Sequence, residues 1–302
     1  MRILLSLFIL LSQLFALDIR AKDYKGSVKF LKQIQLDYKF KGYNFSEISA
    51  LAYNSKTNIL YMVSDKGSMF KFKANFTKDN FSLTPLSATY FKRKNGKRLR
   101  SWKRDTEGIA LDRAGHIFVS REGKPKITQF REDGRKIKNL KLPKALLKAK
   151  LRSRNKSLES LTFHPKYGLL TALELPPKKQ DIHYQTIYSL NGKEWHFFTE
   201  NYKKNGVTDI ETTDDGNLLV LERSYSGYFG KFVVTLKKVY INNCKRKICP
   251  SKVLLSIDSA KGWIVENFEG LVRVGKNRYL MVSDDNDSFF QTTMLIYFEI
   301  LD

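Results

Sequence analysis

The sequence predicts an all-β chain folded as a β-propeller, and three observations carry that prediction. One pattern of two short apolar strands recurs five times along the chain. The recurrences lie 52 to 60 residues apart, room for about four short strands with their turns. The last unit runs out one strand short, while an N-terminal strand belongs to no unit. Four-stranded units set around an axis are propeller blades. Five are countable and a sixth, degenerate one stays open; a β-sandwich with coincidental spacing is the competing fold.

Taken in order, Arg2 is followed by an uncharged run from Ile3 to Leu17, closed by Asp18. That is the layout of a secretory signal peptide over residues 1–16, cut after Ala16. The run is shorter than the about 20 residues a membrane anchor needs. A retained anchor is the alternative, because Leu14 is large for a cleavage motif. The mature domain is then residues 17–302, periplasmic or secreted, with no later segment of spanning length. Val28 to Ile34 reads as the unassigned strand, free to complete the last blade and close the ring.

Each unit opens with a polar residue and a glutamate, turns, and enters a strongly apolar strand that ends in an acid or an acid beside a base. Phe45–Leu51 with Ile59–Asp65 is the first, and Asp105–Leu111 with His116–Glu122 the second. Ser157–Phe163 with Gly168–Glu174 is the third, Asp209–Thr213 with Asn217–Arg223 the fourth, and Asn267–Val272 with Tyr279–Asp285 the fifth. Turn signals such as Asp112-Arg113-Ala114-Gly115 and Asp214-Asp215-Gly216 fall between the two strands. Alternating third strands follow, as in Met69–Lys73 and Ile127–Phe130. Pro143–Leu151 breaks the β pattern with helix formers and reads as a short helix on a loop. Cys244 and Cys249 bracket a polar loop between two strand-like runs. A structural disulfide fits an oxidising compartment, and their four-residue gap is not the two-residue gap of thioredoxin-like redox pairs.

The opening glutamates are Glu47, Glu107, Glu159, Glu211 and Glu269. Starts of innermost strands converge on one mouth of a propeller channel, so these carboxylates are expected to meet in one funnel. The second strands end there too, with Asp65, Arg121 beside Glu122, Glu174, Glu222 beside Arg223, and Asp284 beside Asp285. Crowded acids need cations between them, either basic side chains such as Arg104, Arg121, Lys156 and Arg223 or a hard metal ion. The structural alternative is that each glutamate accepts backbone N–H bonds and holds neighbouring blades together. There is no Gly-x-Ser-x-Gly elbow, no P-loop and no Gly-x-Gly-x-x-Gly fingerprint, and the four histidines lack metal-ligand spacing. The net charge of +24 is spread over Lys92–Arg104, Lys136–Lys156 and Lys237–Lys247. Export and the lack of a recognition motif argue for a solvated basic surface without a nucleic-acid partner.

Asp105-Thr106-Glu107-Gly108, Ser157-Leu158-Glu159, Asp209-Ile210-Glu211 with Leu221-Glu222-Arg223, and Asn267-Phe268-Glu269-Gly270 with Ser283-Asp284-Asp285-Asn286 resemble the phytase-like domain family, also called esterase-like activity of phytase. The resemblance runs from about Phe30 to Ile300. It implies an exported β-propeller distantly similar to calcium-dependent phytases, which cleave phosphomonoesters with calcium held in an acidic channel mouth. On that reading the chain is a calcium-dependent phosphoester or ester hydrolase taking a small anionic or phosphorylated ligand. Glu107, Glu211, Glu269 and Asp284 would hold metal, with Glu107 and Glu211 catalytic and Arg121 and Arg223 clamping the phosphate. Glu47, Asp65, Glu159, Glu174 and Glu222 would line the mouth. The alternatives are a non-catalytic propeller that binds a ligand or protein there, and an envelope scaffold docking through the basic surface.

Overall fold

The computed structural model describes residues 26–100, 104–123, 125–153, 156–225, 231–261, 263, 265–288 and 291–301. The expected signal peptide lies outside them. Among the described residues, twenty strands, β1 to β20, form five antiparallel four-stranded sheets. Blade 1 is β2 (Ile48–Asn54), β3 (Ile59–Ser64), β4 (Ser68–Phe76) and β5 (Phe81–Tyr90). Blade 2 is β6 (Thr106–Leu111), β7 (Ile117–Arg121), β8 (Lys126–Phe130) and β9 (Lys136–Asn139). Blade 3 is β10 (Thr162–His164), β11 (Gly168–Ala172), β12 (Tyr184–Ser189) and β13 (Glu194–Phe198). Blade 4 is β14 (Asn205–Thr212), β15 (Leu218–Tyr225), β16 (Phe232–Val239) and β17 (Ser251–Asp258).

Blade 5 is β18 (Asn267–Gly275), β19 (Arg278–Asp284) and β20 (Met294–Ile300), completed by β1 (Val28–Gln35). β1 pairs antiparallel with β20 from Val28↔Ile300 to Gln35↔Met294, so the termini close the ring as the sequence predicts. Pairing covers the edge that β20 would otherwise leave open. The predicted helix is α1 (Lys144–Lys148), on the connection between blades 2 and 3. Cys244 and Cys249 are joined by a disulfide in the loop after β16. No helix among the described residues is long and apolar enough to cross a membrane.

The core is divided among the blade interfaces. Among the described residues five apolar clusters fill the crevices, for example Leu219, Leu236, Phe268 and Met281 between blades 4 and 5, and Ala110, Ile127, Leu158 and Leu169 between blades 2 and 3. A middle strand is covered on both faces, which is why β3 and β15 read as apolar runs and not as alternation. β2, β6, β10, β14 and β18 are innermost, each touching the next around the ring and β18 touching β2.

Candidate functional site

Three rings of equivalent positions build one mouth of the channel. The pairs Ile48↔Ser64, Thr106↔Arg121, Val207↔Glu222 and Phe268↔Ser283, with the bridge Leu158↔Leu173, set the five blades in a common register. Just past each pair the inner strand steps out of register, leaving Ser49, Glu107, Thr208 and Glu269 bulged, with Glu159 at the same level in blade 3. A bulge re-aims its side chain, and in three blades it carries a carboxylate. The second strands end in the next ring: Asp65, Glu122, Glu174, Arg223 and Asp284. The third ring, opposite it, is Glu47, Asp105, Ser157, Gly206 and Asn267. Nine acids and one arginine therefore face one another.

Four placements depart from the sequence reading. Glu211 lies three positions beyond the bulged Thr208, toward the far end of β14, and does not join the other glutamates. It accepts the Thr162 hydroxyl (3.2 Å) and lines a cavity of about 540 Å³ at the opposite mouth, with Arg113, Arg273 and Lys276. Burial raises its pKa to about 7 even though the Arg273 charge opposes the shift. Glu47 occupies the position of Asp105, while Ser49 takes the bulge. Arg121 and Glu222 share the equivalent position just before the mouth, where side chains point between blades. The Arg121 guanidinium donates to Thr128 Oγ1 (3.0 Å), in the outer half of blade 2. Glu222 is fully buried against Lys237 Nζ (3.1 Å) and accepts from Asn205 Nδ2 (2.8 Å) and the Glu200 N–H (2.9 Å), tying blade 3 to blade 4.

Cations neutralise only part of the rim. Arg223 bonds Glu269 and Asn267, and its Nη2 stands 3.7 Å from Glu174. Lys156 Nζ meets the same Glu174 oxygen at 2.5 Å. Lys66 pairs with Glu47 (2.6 Å) and with Asp287. Gly206 permits this packing, since a Cβ there would stand 2.8 Å from Glu174 Cγ. Arg104, named with the cations, instead donates to the Leu99 carbonyl. The matched acids are Glu47, Glu174 and Glu269, and Asp105, Glu107, Glu122 and Glu159 of blades 2 and 3 form no ion pair with a described residue.

Several carboxyl groups around the mouth titrate high. Burial, then the charge and hydrogen bond of Glu47, push Asp65 up to about 8. Burial and Glu269 push Asp284 up to about 8. Glu107 and Glu159 are held well above the usual range by burial first and by surrounding acids second. Asp105, Glu107 and Glu122 bring ligand oxygens within 4.8 Å of one another, and so do Glu122, Glu159 and Glu174. Glu107 is 8% exposed, and no described residue donates a hydrogen bond to it. Buried carboxylates without donors are costly unless protonated or bound to a cation, and all-oxygen donor sets suit calcium. The residues present thus fit a hard metal ion.

The sequence reading did not single out Asp105 and Glu122 as candidate ligands, although both stood inside the quoted repeats. It also missed Asp209, one place past the bulge, where the other blades have Ala50, Gly108, Ser160 and Gly270. The axis is narrow there: a Cβ on Gly270 would stand 2.9 Å from Ala50 Cα. Buried Asp209 accepts the Leu271 N–H (2.7 Å) from β18 and its own strand's Ile210 N–H (2.8 Å), tying two inner strands at the waist of the channel.

A family model described as Phytase-like, esterase-like activity of phytase, matches residues 44–287. No curated protein matches the sequence. Among solved structures, the PQQ-bound aldose sugar dehydrogenase from Streptomyces coelicolor is similar at 11% identity and TM-score 0.46, over 91% of this chain and 98% of that one. A luciferin-regenerating enzyme is similar at 10% identity and TM-score 0.43, over 84% and 92%. The Cps50 (Swd1) β-propeller domain of Myceliophteria thermophila is similar at 12% identity and TM-score 0.37, over 84% and 66%.

Proposed function

The chain belongs to the phytase-like family (esterase-like activity of phytase), and from that premise we propose that its acidic mouth hydrolyses phosphate or carboxylic esters outside the cytoplasm with the help of calcium. The observation that carries this reading is the Asp105–Glu107–Glu122 triad, with a Glu107 carboxylate that no described residue donates to. Asp105, Glu107 and Glu122 would hold one ion, and Glu122, Glu159 and Glu174 offer a second set that shares Glu122. Calcium bound there would supply charge neutralisation for the ester oxygens and a more acidic bound water. Arg223 and Lys156 place positive charge beside Glu174, where an anionic substrate group is drawn toward the triads. Asp284 and Asp65, each with a pKa of about 8, keep a proton near neutral pH and can deliver it to a leaving oxygen. Export is supported by the disulfide and by the N-terminal apolar run.

A non-catalytic binding propeller is the second reading, favoured by one observation. Arg223 is closed onto Glu269 and Asn267 and Arg121 is turned to Thr128, which leaves neither guanidinium open to a phosphate. Hydrolysis of para-nitrophenyl phosphate and para-nitrophenyl acetate, with calcium and with chelator, separates the two. Hydrolysis requires calcium-dependent turnover that Glu107→Gln abolishes. Calcium binding without turnover of either ester, or of a wider phosphoester panel, would leave the binding propeller.

A further inference from the structure

Ten of the 22 residues from Arg135 to Lys156 are basic and none is acidic. The segment crosses the outside of the crevice between blades 2 and 3. Leu142 and Leu146 are buried there, in the cluster that contains Leu158, Leu169 and Tyr188, and Leu140, Ala149 and Leu151 pack against it. These anchors fix the backbone and turn the lysines outward: Lys138, Lys141, Lys144, Lys148 and Lys150 are all exposed. The loop after β11 extends the row. The Lys178 N–H donates to the Lys150 carbonyl (2.9 Å), and Arg152 donates to the Pro176 (3.0 Å) and Gln180 carbonyls (2.5 Å). That brings exposed Lys178 and Lys179 alongside. No hydrogen bond or ion pair joins any of these seven ammonium groups to a described residue. In their midst Leu147, on α1, breaks the alternation and stands 63% exposed.

We propose that this lysine row is a docking surface for an anionic lipid bilayer, with Leu147 as its apolar contact. Seven unpaired cations on one strip match a layer of anionic headgroups, to which each lysine contributes independently. Between Lys144 and Lys148 the exposed Leu147 sets a single apolar side chain inside a basic collar, so that it can enter the headgroup layer while the ammonium groups meet the anionic headgroups. A nucleic acid is less well matched, because the strip offers no aromatic ring on which a base would stack. The acidic channel mouth takes no part in this contact.

The test is flotation of the protein, purified as its host delivers it, with vesicles of phosphatidylcholine alone or mixed with phosphatidylglycerol. The neutral vesicles measure any contribution of the N-terminal apolar run. The strip variant replaces Lys141, Lys144, Lys148 and Lys150 with Glu, and a control replaces exposed Lys39, Lys41, Lys261 and Lys276 with Glu, an identical change in net charge. The strip variant should lose roughly a hundredfold or more in affinity for the anionic vesicles, and the control only a few-fold. Leu147→Ser, which leaves the charge unchanged, should lose about tenfold on vesicles and nothing on single-stranded RNA. Equal losses in the two charge variants would reduce the effect to net charge and overturn the proposal. Vesicle binding indifferent to Leu147 would overturn it as well.

Discussion

Replacing Glu107 with Gln should stabilise the protein in chelator, an unusual outcome for a buried carboxylate. Glu107 is 8% exposed, no described residue donates to it, and ligand oxygens of Asp105 and Glu122 lie within 4.8 Å. Two unit charges at that distance repel by about 3 kcal/mol even at an effective dielectric of about 20. Without metal, the folded protein does better by keeping a proton on the group. Burial and the surrounding acids push the carboxyl well above its ordinary range, and holding the proton costs stability that the unfolded chain does not lose, bounded by the repulsion it avoids at about 3 kcal/mol. Gln keeps the shape and is neutral from the outset. Allowing about 1 kcal/mol for an imperfectly bonded amide, the gain is about 2 kcal/mol, or roughly 3 °C in melting temperature. It should vanish near pH 4, where the unfolded chain is protonated too. Thermal melts in chelator at both pH values measure it. A lower melting temperature for Glu107→Gln at pH 7 would mean that the carboxylate is held by bonds and not strained by its neighbours, and would refute the reasoning.

The rim should behave differently. Glu269→Gln weakens the Arg223 pair and should destabilise by about 1–3 kcal/mol whether or not calcium is present; a calcium-dependent loss would move Glu269 into a metal site. Asp65 and Asp284, both near 8, bind more protons folded than unfolded, so their stabilisation is complete below about pH 4 and is lost as pH rises toward 8. The melting temperature in chelator should therefore fall between pH 5 and 8, and calcium should flatten the fall; a rise with pH in chelator would contradict the strained mouth. Removing residues 17–36 strips β1 from β20 and exposes the sites of buried Val28 and Leu36, which should cost at least about 5 kcal/mol. An unchanged melting curve would mean that the ring does not depend on its N-terminal strand.

The architecture was legible because burial writes directly into sequence. Middle strands covered on both faces read as apolar runs, their spacing counted the blades, and the missing strand beside Met294–Ile300 called for Val28–Ile34. The mouth was only partly legible. Lining the repeats up on the letter Glu put Glu47 and Glu211 in one ring with Glu107, Glu159 and Glu269. The true equivalents are Ser49 and Thr208, because a bulge is set by hydrogen-bond register and not by residue type. Side-chain alternation settles the acid–base pairs: Glu122 and Arg223 face the channel, while their predecessors Arg121 and Glu222 face neighbouring blades. Asp209 was hidden for a related reason, since its role depends on backbone N–H groups brought close only at the waist of the ring.

The most direct measurement is anomalous diffraction from crystals grown with calcium and again with chelator. A calcium peak among the carboxylates of Asp105, Glu107 and Glu122, absent in chelator and absent in Glu107→Gln, is the predicted result. Crystals that show no density within coordination distance of those oxygens, at calcium concentrations that alter the melting temperature, would contradict a metal centre on the blade 2–3 side of the mouth.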